Sequence, residues 1–458
     1  MFLRYLAALG VAGFIGLTGC ASHKIEATRP EPRPLGKEIP TFQAPEDPAA
    51  PGRPDLNEPT GPITLREALA LALVRNPELA VFSWDVRAQE ALVLQAGLRP
   101  NPEIEFELED FSGTGALRGF DGAETTLLLG QLIELGGKRG KRTRLAALEQ
   151  NLSGWDYEAK RLDVYTSVAK AFVNVVGAQE RLALSNELLE LAEQALETVA
   201  TRVKAGRDSP VEETKARVTL YTTRIELERA KRDLAGARKR LVALWASTTP
   251  VFDKAEGTLE EIVPIPAAER LGEVSAKNPD VARWETEFEE RQAAIDLADA
   301  EKIPDLTIVV GGKHLSDISE SALVVGIGIP IPLFNRNQGE ALAARYLLAQ
   351  ARAEARASQL QVHTALAETY QALAAAYTAA TALRDDVLPA AQSAYDMVSL
   401  GYQRGKFGFL DLLDAQRTLF EAKREYIDTL ADYHQSSADM ERLIGQRLDT
   451  VTGPRDPE

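Results

Sequence analysis

Two hydrophobic rhythms alternate along this chain. The first has the period of a helix. Leu184, Leu188, Leu191, Ala195 and Thr198 recur at alternating spacings of four and three, and so do Leu182, Ser185, Leu189, Ala192, Leu196, Val199 and Val203. Each set is a coiled-coil seam. The two seams lie on different flanks of one helix, which therefore has two neighbours, as in a sheet or closed barrel of helices. No proline interrupts residues 138–205, and only Pro389 falls within 338–404. At about 1.5 Å per residue each run predicts a helix about 100 Å long. The second run is Ala-rich from Ala365 to Ala382, which permits close helix packing. Shorter helical patterns cover 77–98 and 210–247, and again 279–302 and 409–446. Stacked end to end, each pair of short helices matches most of one long helix.

The second rhythm has period two. Glu103 to Glu109 alternates strictly, with Ile104, Phe106 and Leu108 on one face and four Glu on the other, the mark of a half-buried strand. Thr125 to Glu134, Leu306 to Gly311 and Leu323 to Ile329 are the other strands expected. Strands with one apolar face suit an outer-membrane barrel, but such a barrel needs about eight. Two readings stand at this point: a small β-sandwich between helical regions, or one barrel shared by several chains.

These elements are written twice. Asn76-Pro77-Glu78-Leu79 returns as Asn278-Pro279-Asp280-Val281, and Pro102 as Pro304, both 202 positions later. Gly206 returns as Gly405 and Ala216 as Ala415, both 199 positions later. Each half reads short helix, helix, strand, loop, strand, very long helix, tight turn, helix. A constant offset over such a length marks a tandem repeat, with boundaries at 63–250 and 251–447 and a C-terminal tail at 448–458.

Composition narrows the function. With 52 Lys+Arg against 68 Asp+Glu the net charge is −16, and no basic stripe exists to neutralise phosphates, so nucleic acid is not a partner. One Cys excludes a disulfide framework and any cysteine-built metal site. His23, His314, His363 and His434 form no pair at metal-ligand spacing, and nothing supports an enzyme. Gly136-Gly137-Lys138-Arg139 is not a phosphate loop, because Leu132 and Arg139 occupy places that require Gly and Ser/Thr. Met397 and Met440 stand alone and read as helix packing rather than soft metal ligands.

The N-terminus has its own logic. Arg4 precedes an apolar run from Tyr5 to Leu17, the arrangement of a signal peptide over 1–19. The run ends in Leu17-Thr18-Gly19-Cys20, which resembles the lipobox of bacterial lipoproteins and implies a covalent lipid at Cys20. Ala21 stands where an Asp would favour inner-membrane retention. Ten prolines then lie between Arg29 and Pro62, and such a leader (20–62) prefers extended polyproline II. It is either a disordered tether or a strap laid along the body.

The order helix, strand, strand, long helix, repeated behind a lipobox and a Pro-rich leader, resembles the TolC-like outer membrane efflux family over about residues 63–447. The run Asn101 to Phe111, with Glu124-Thr125-Thr126 and Gln131 to Arg139, is similar to its heavy-metal (CzcC/CusC-like) branch. The resemblance implies a mainly α fold with a small β part, built from two tandem repeats of coiled-coil helices and β-hairpins. Three such chains would share a 12-stranded outer-membrane β-barrel and a periplasmic α-helical barrel, which answers the closure problem. It implies a homotrimer in outer-membrane lipid, a periplasmic adaptor (membrane fusion protein), an inner-membrane RND pump, and no cofactor beyond the lipid.

Residue roles follow from the same resemblance. The turns at Gly206-Arg207-Asp208-Ser209-Pro210 and around Gly405 have the local chemistry of tight hairpins. In the family they dock the adaptor, which marks Gly206, Asp208, Ser209 and Gly405. Asp411 and Asp414, three apart on one helix face, match acidic positions that ring the periplasmic entrance. Tyr402 matches a latch tyrosine and Glu212 its acidic partner on the other hairpin, while Phe407 replaces an Arg of the best-studied entrances. The expected function is an exit duct for heavy-metal cations. The alternatives are a duct for drugs, organic compounds or a secreted polypeptide, and a lipid-anchored coiled-coil scaffold without a pore.

Overall fold

The computed structural model describes residues 30–49 and 58–451. The expected signal peptide (1–19), Cys20 and the residues beyond 451 lie outside the described residues. In chain order the helices are α1 (Leu65–Arg75), α2 (Pro77–Ala96), α3 (Lys138–Lys204), α4 (Pro210–Ala243), α5 (Ala268–Ser275), α6 (Pro279–Ala300), α7 (Gln338–Ala382), α8 (Leu388–Gln403), α9 (Phe409–Ile444) and α10 (Leu448–Val451). The strands are β1 (Ile63–Thr64), β2 (Glu103–Glu109), β3 (Glu124–Ile133), β4 (Ala255–Glu256), β5 (Leu306–Leu315) and β6 (Glu320–Gly328).

The recurring Asn-Pro pair has a structural reason. Asn76 and Asn278 cap α2 and α6, each accepting a backbone N–H through Oδ1, and each Pro takes the first helical position. The other side of each amide donates to the far end of the same repeat, Asn76 to the Leu244 carbonyl at 2.8 Å and Asn278 to the Leu443 carbonyl at 2.9 Å. One side chain thus starts a helix and ties it to the end of the hairpin that follows.

α3 runs for 67 residues. It packs between α2 and α6 in its first half and between α4 and α9 in its second, so both seams are occupied. The second long helix is interrupted. A π turn at Leu383–Val387 joins α7 to α8 immediately before Pro389. Proline cannot donate the helical hydrogen bond and its ring crowds the carbonyl four residues back; one wide turn accommodates both.

β2, β3, β5 and β6 form one antiparallel sheet in that order, leaving β2 and β6 as free edges. The register places Ile104, Phe106, Leu127, Leu129, Val310, Leu323, Val325 and Ile327 on one face, all of them solvent-exposed in the single chain. The opposite face carries Glu103, Glu105, Glu107, Gly130, Gly311 and Gly326. β3 and β5 have ten residues each; at about 3.3 Å per residue and a tilt of about 40°, they match an apolar band about 25 Å tall. Among the described residues no second sheet packs on either face, so the sandwich reading does not hold. β5 is longer than expected because Gly311-Gly312 breaks the apolar pattern without breaking the strand. A Cβ at Gly311 would sit 1.9 Å from the Leu127 carbonyl oxygen, so only glycine fits.

The main core surrounds the middle of α3, where Leu162, Val168 and Phe172 meet Leu69 and Leu73 of α1, Leu241 of α4, Trp245 just after it, and Phe252. Residues 30–49 lie on this core as a strap, with Leu35, Ile39, Phe42 and Ala44 buried. β1 and β4 pair in parallel here, joining the start of the first repeat to the start of the second. Among the described residues no helix is long and apolar enough to cross a membrane.

Candidate functional site at the hairpin tips

Both long helical hairpins turn at the end farthest from the sheet, and the two turns are built alike. Gly206 and Gly405 take left-handed backbone angles, φ 68° and 72°. The following N–H closes each turn, Arg207 onto the Arg202 carbonyl at 2.9 Å and Lys406 onto the Gly401 carbonyl at 2.8 Å. The next helices begin with Ser209, whose hydroxyl accepts the Val211 N–H, and with Gly408, whose N–H donates to Asp411 Oδ2 at 2.8 Å. Each loop folds this way because glycine alone enters the left-handed region without a Cβ penalty.

The same six-residue spacing closes both tips with different chemistry. In the first, Arg202 grips Asp208, with Nε at 2.7 Å and Nη2 at 3.0 Å from the carboxylate oxygens. In the second, the equivalent positions are Gly401 and Phe407, and the Phe407 ring occupies the place a Cβ on Gly401 would take, at 2.2 Å. One turn is pinned by an ion pair and the other by a ring on a glycine.

The tips are joined through Tyr402. Its hydroxyl donates to Asp208 Oδ2 at 3.0 Å, Arg202 Nη1 donates to the Tyr402 carbonyl at 3.2 Å, and the guanidinium lies 4.7 Å from the ring centre. Beneath them Val199, Ala216, Tyr402, Phe409 and Leu412 form a local core. The Asp208 side chain is 8 % exposed and that of Arg202 19 %. Hydrogen bonding from Arg202, then from Tyr402, holds the Asp208 carboxyl below its usual range. Burial, then the bond to Asp208, pushes the Tyr402 hydroxyl up to about 12.

This geometry corrects the expected pairing of Tyr402 with Glu212. Asp208 takes the tyrosine hydroxyl, whereas Glu212 occupies the first turn of α4, its N–H donating to the Ser209 carbonyl. Counted by the repeat offset, Glu212 is the counterpart of Asp411, an acidic residue beside a helix start where the dipole favours it. Asp208 is correspondingly turned inward, while Gly206, Ser209 and Gly405 remain exposed. Arg202 was not singled out from the sequence; the Arg–Asp spacing of six across a glycine turn is the signal that could have found it.

Asp411 and Asp414 both lie exposed on the flank of α9 opposite buried Phe409, Leu412 and Gln416. Asp411 is engaged by the Gly408 N–H. Among the described residues no group of three or more His, Cys, Asp or Glu side chains could hold a metal ion.

A helical body about 100 Å long, ending in paired hairpins at one end and in an open-edged sheet with an exposed apolar face at the other, defines a membrane-embedded duct subunit. The family model described as outer membrane efflux protein matches residues 68–247 and 271–446. The chain belongs to that family. It is 33% identical over 389 residues to the cobalt-zinc-cadmium resistance protein CzcC of Cupriavidus metallidurans, covering 85% of this chain and 91% of that one. It is 27% identical over 292 residues to the nickel-cobalt-cadmium resistance protein NccC of Alcaligenes xylosoxydans, covering 63% and 65%. Among solved structures, CusC superposes with a TM-score of 0.72 at 20% identity, covering 89% of this chain and 99% of that one. The fold is TolC-like, and the protein is an outer membrane efflux channel.

Proposed function

We propose that three copies of this chain form the exit duct of a tripartite system that exports heavy-metal cations, driven by an inner-membrane RND pump and coupled through a periplasmic adaptor. The observation that carries the cargo is the similarity to CzcC along nearly its whole length. The sheet supports the oligomer. Two free edges and an exposed apolar face leave backbone hydrogen bonds unmade in lipid, and only closure with further strands satisfies them. Four strands from each of three chains make a barrel of ordinary size. The lipobox supports acylation of Cys20.

The tips supply the gate. The Arg202–Asp208–Tyr402 cluster ties one hairpin to the other and serves as the latch. Asp411 and Asp414 from three chains form acidic rings at the periplasmic entrance, a charge pattern that favours cations in passage. The exposed turns at Gly206, Ser209 and Gly405 receive the adaptor, which opens the entrance by binding the open arrangement more tightly than the closed one. A deletion strain tested for growth on zinc, cobalt, cadmium, nickel, copper and silver should lose tolerance to at least one. Unchanged tolerance to all six, with increased drug sensitivity, would transfer the duct to organic cargo.

A further inference from the structure

The strap formed by residues 30–49 is held by four buried side chains, Leu35, Ile39, Phe42 and Ala44, and by a series of hydrogen bonds to its main chain. On α3, Glu158 and Arg161 form an ion pair one turn apart, each side chain only 4 % exposed. Desolvating two charges for a single helical pair gains little by itself. The pair's remaining hydrogen-bonding capacity goes to the leader. Glu158 Oε1 accepts the Arg33 N–H at 2.7 Å. Arg161 donates to the Leu35 carbonyl at 2.8 Å and to the Arg33 carbonyl at 3.2 Å, as well as to Glu158. Gly36 follows at φ 67°, where a Cβ would lie 2.8 Å from the Tyr165 ring. Farther along, Tyr157 donates to the Phe42 carbonyl at 2.6 Å, and Arg87 to the Ala44 carbonyl at 2.8 Å. The Phe42 N–H reaches the Leu73 carbonyl at the end of α1 at 2.9 Å.

One bond crosses to the other repeat. The Leu35 N–H donates to the carbonyl of Gly445 at 3.0 Å, and Gly445 is the left-handed cap that ends α9. The strap therefore touches α1, α2 and α3 of the first repeat and the end of α9 in the second. α9 is the helix that starts at the gate with Phe409.

We infer that Glu158 and Arg161 are a clamp for the leader backbone, and that the seated leader fastens the C-terminal end of α9 to α3. The clamp itself lies in the first repeat, but the seat is complete only when the Gly445 carbonyl of the second repeat accepts the Leu35 N–H, so full seating follows packing of the two repeats. The leader is read by its backbone and by the burial of Leu35, Ile39, Phe42 and Ala44, and the fastening is independent of cargo.

The test uses the purified full-length protein. Trypsin cleavage after Lys37 reports release of the strap, cleavage after exposed Lys204 at the tip is the internal control, and amide exchange across 441–451 reports the end of α9. Arg161→Met keeps the apolar stem and removes the donors. Gly36→Val disturbs the seat from the leader side and leaves every helix intact, so it carries the test alone if the first variant misfolds. Both should speed cleavage after Lys37 at least tenfold, given charged hydrogen bonds of ordinary strength, and both should speed exchange across 441–451, with Lys204 unchanged. Unchanged cleavage after Lys37 in both variants overturns the clamp. Release of the leader with unchanged exchange at 441–451 overturns the fastening.

Discussion

Replacing Tyr402 by Phe should open the entrance without unfolding it. The substitution removes one hydroxyl that donates to a nearly buried carboxylate at 3.0 Å, and it leaves the ring in place over Arg202 and beside Phe409. A hydrogen bond to a charged partner contributes about 1.5 kcal/mol at the lower end of its range, which suits a cluster still touched by solvent. That is about tenfold in an equilibrium per chain. If three chains open together the shift approaches a thousandfold. Asp208→Asn should act more strongly, because it leaves the Arg202 guanidinium without its counter-charge. Glu212→Gln should act least, since no direct bond joins it to Tyr402. The two single variants at 402 and 208 share one interaction, so the double variant should fall short of their sum. Single-channel recording in planar bilayers measures open probability, with trimer yield as the control. Open probability unchanged in both Tyr402→Phe and Asp208→Asn, in intact trimers, would refute the latch. The sign of the pH effect follows from the same cluster. The Asp208 carboxyl lies below its ordinary value of 3.8, so its contribution is complete above that value and is lost only as pH falls through the lowered one. The Tyr402 hydroxyl, raised to about 12, begins to cost stability only above its ordinary value of 10. Latch strength should therefore be flat from about pH 5 to pH 10.

Replacing both Asp411 and Asp414 by Ala should weaken divalent-cation block and reduce cation preference, read from reversal potentials, with trimer yield unchanged. Glu441 lies near the end of α9, where burial pushes its carboxyl up to about 7 despite the bond it accepts from the Leu448 N–H and the charge of Arg447. A raised carboxyl favours the protonated folded form, so stability should fall as pH rises from about 4.5 to 7; Glu441→Gln should flatten that slope in thermal melts. Leu129→Arg places a charge on the apolar face of the sheet. It should cost about 2–4 kcal/mol per chain if that site reaches the bilayer midplane, seen as lost heat-stable trimer in lipid.

The sequence shows most of the fold because its strongest signals are periodic. The seams on α3 name its two neighbours without naming them as α4 and α9, and the alternation of β2 is complete in seven residues. Interruptions are harder to read. Gly311-Gly312 looks like the end of a strand until a neighbour's carbonyl is seen to require it, and Pro389, read as lying within one long helix, sits beside a π turn that no local pattern announces. The tips were half legible. Gly206, Gly405 and Ser209 follow from local backbone chemistry, whereas the bond of Tyr402 joins residues 194 positions apart. No local rule chooses Asp208 over Glu212 for it. The leader was undecided for the same reason, because its seat is made by α1, α2, α3 and the end of α9 rather than by its own prolines.

The unpaired edges of the sheet have a genetic consequence. Each chain can complete its hydrogen bonding in the membrane only by lending one edge to a neighbour and borrowing another. A chain whose β6 edge is blocked but whose β2 edge is sound would still be accepted into assembly, and it would leave the wall with a seam. In the proposed trimer, a cell making altered and normal chains equally would build only about one assembly in eight from three normal chains. Lesions along β6 should therefore behave as dominant, while lesions that prevent the helices from folding remove the chain from assembly and should be recessive.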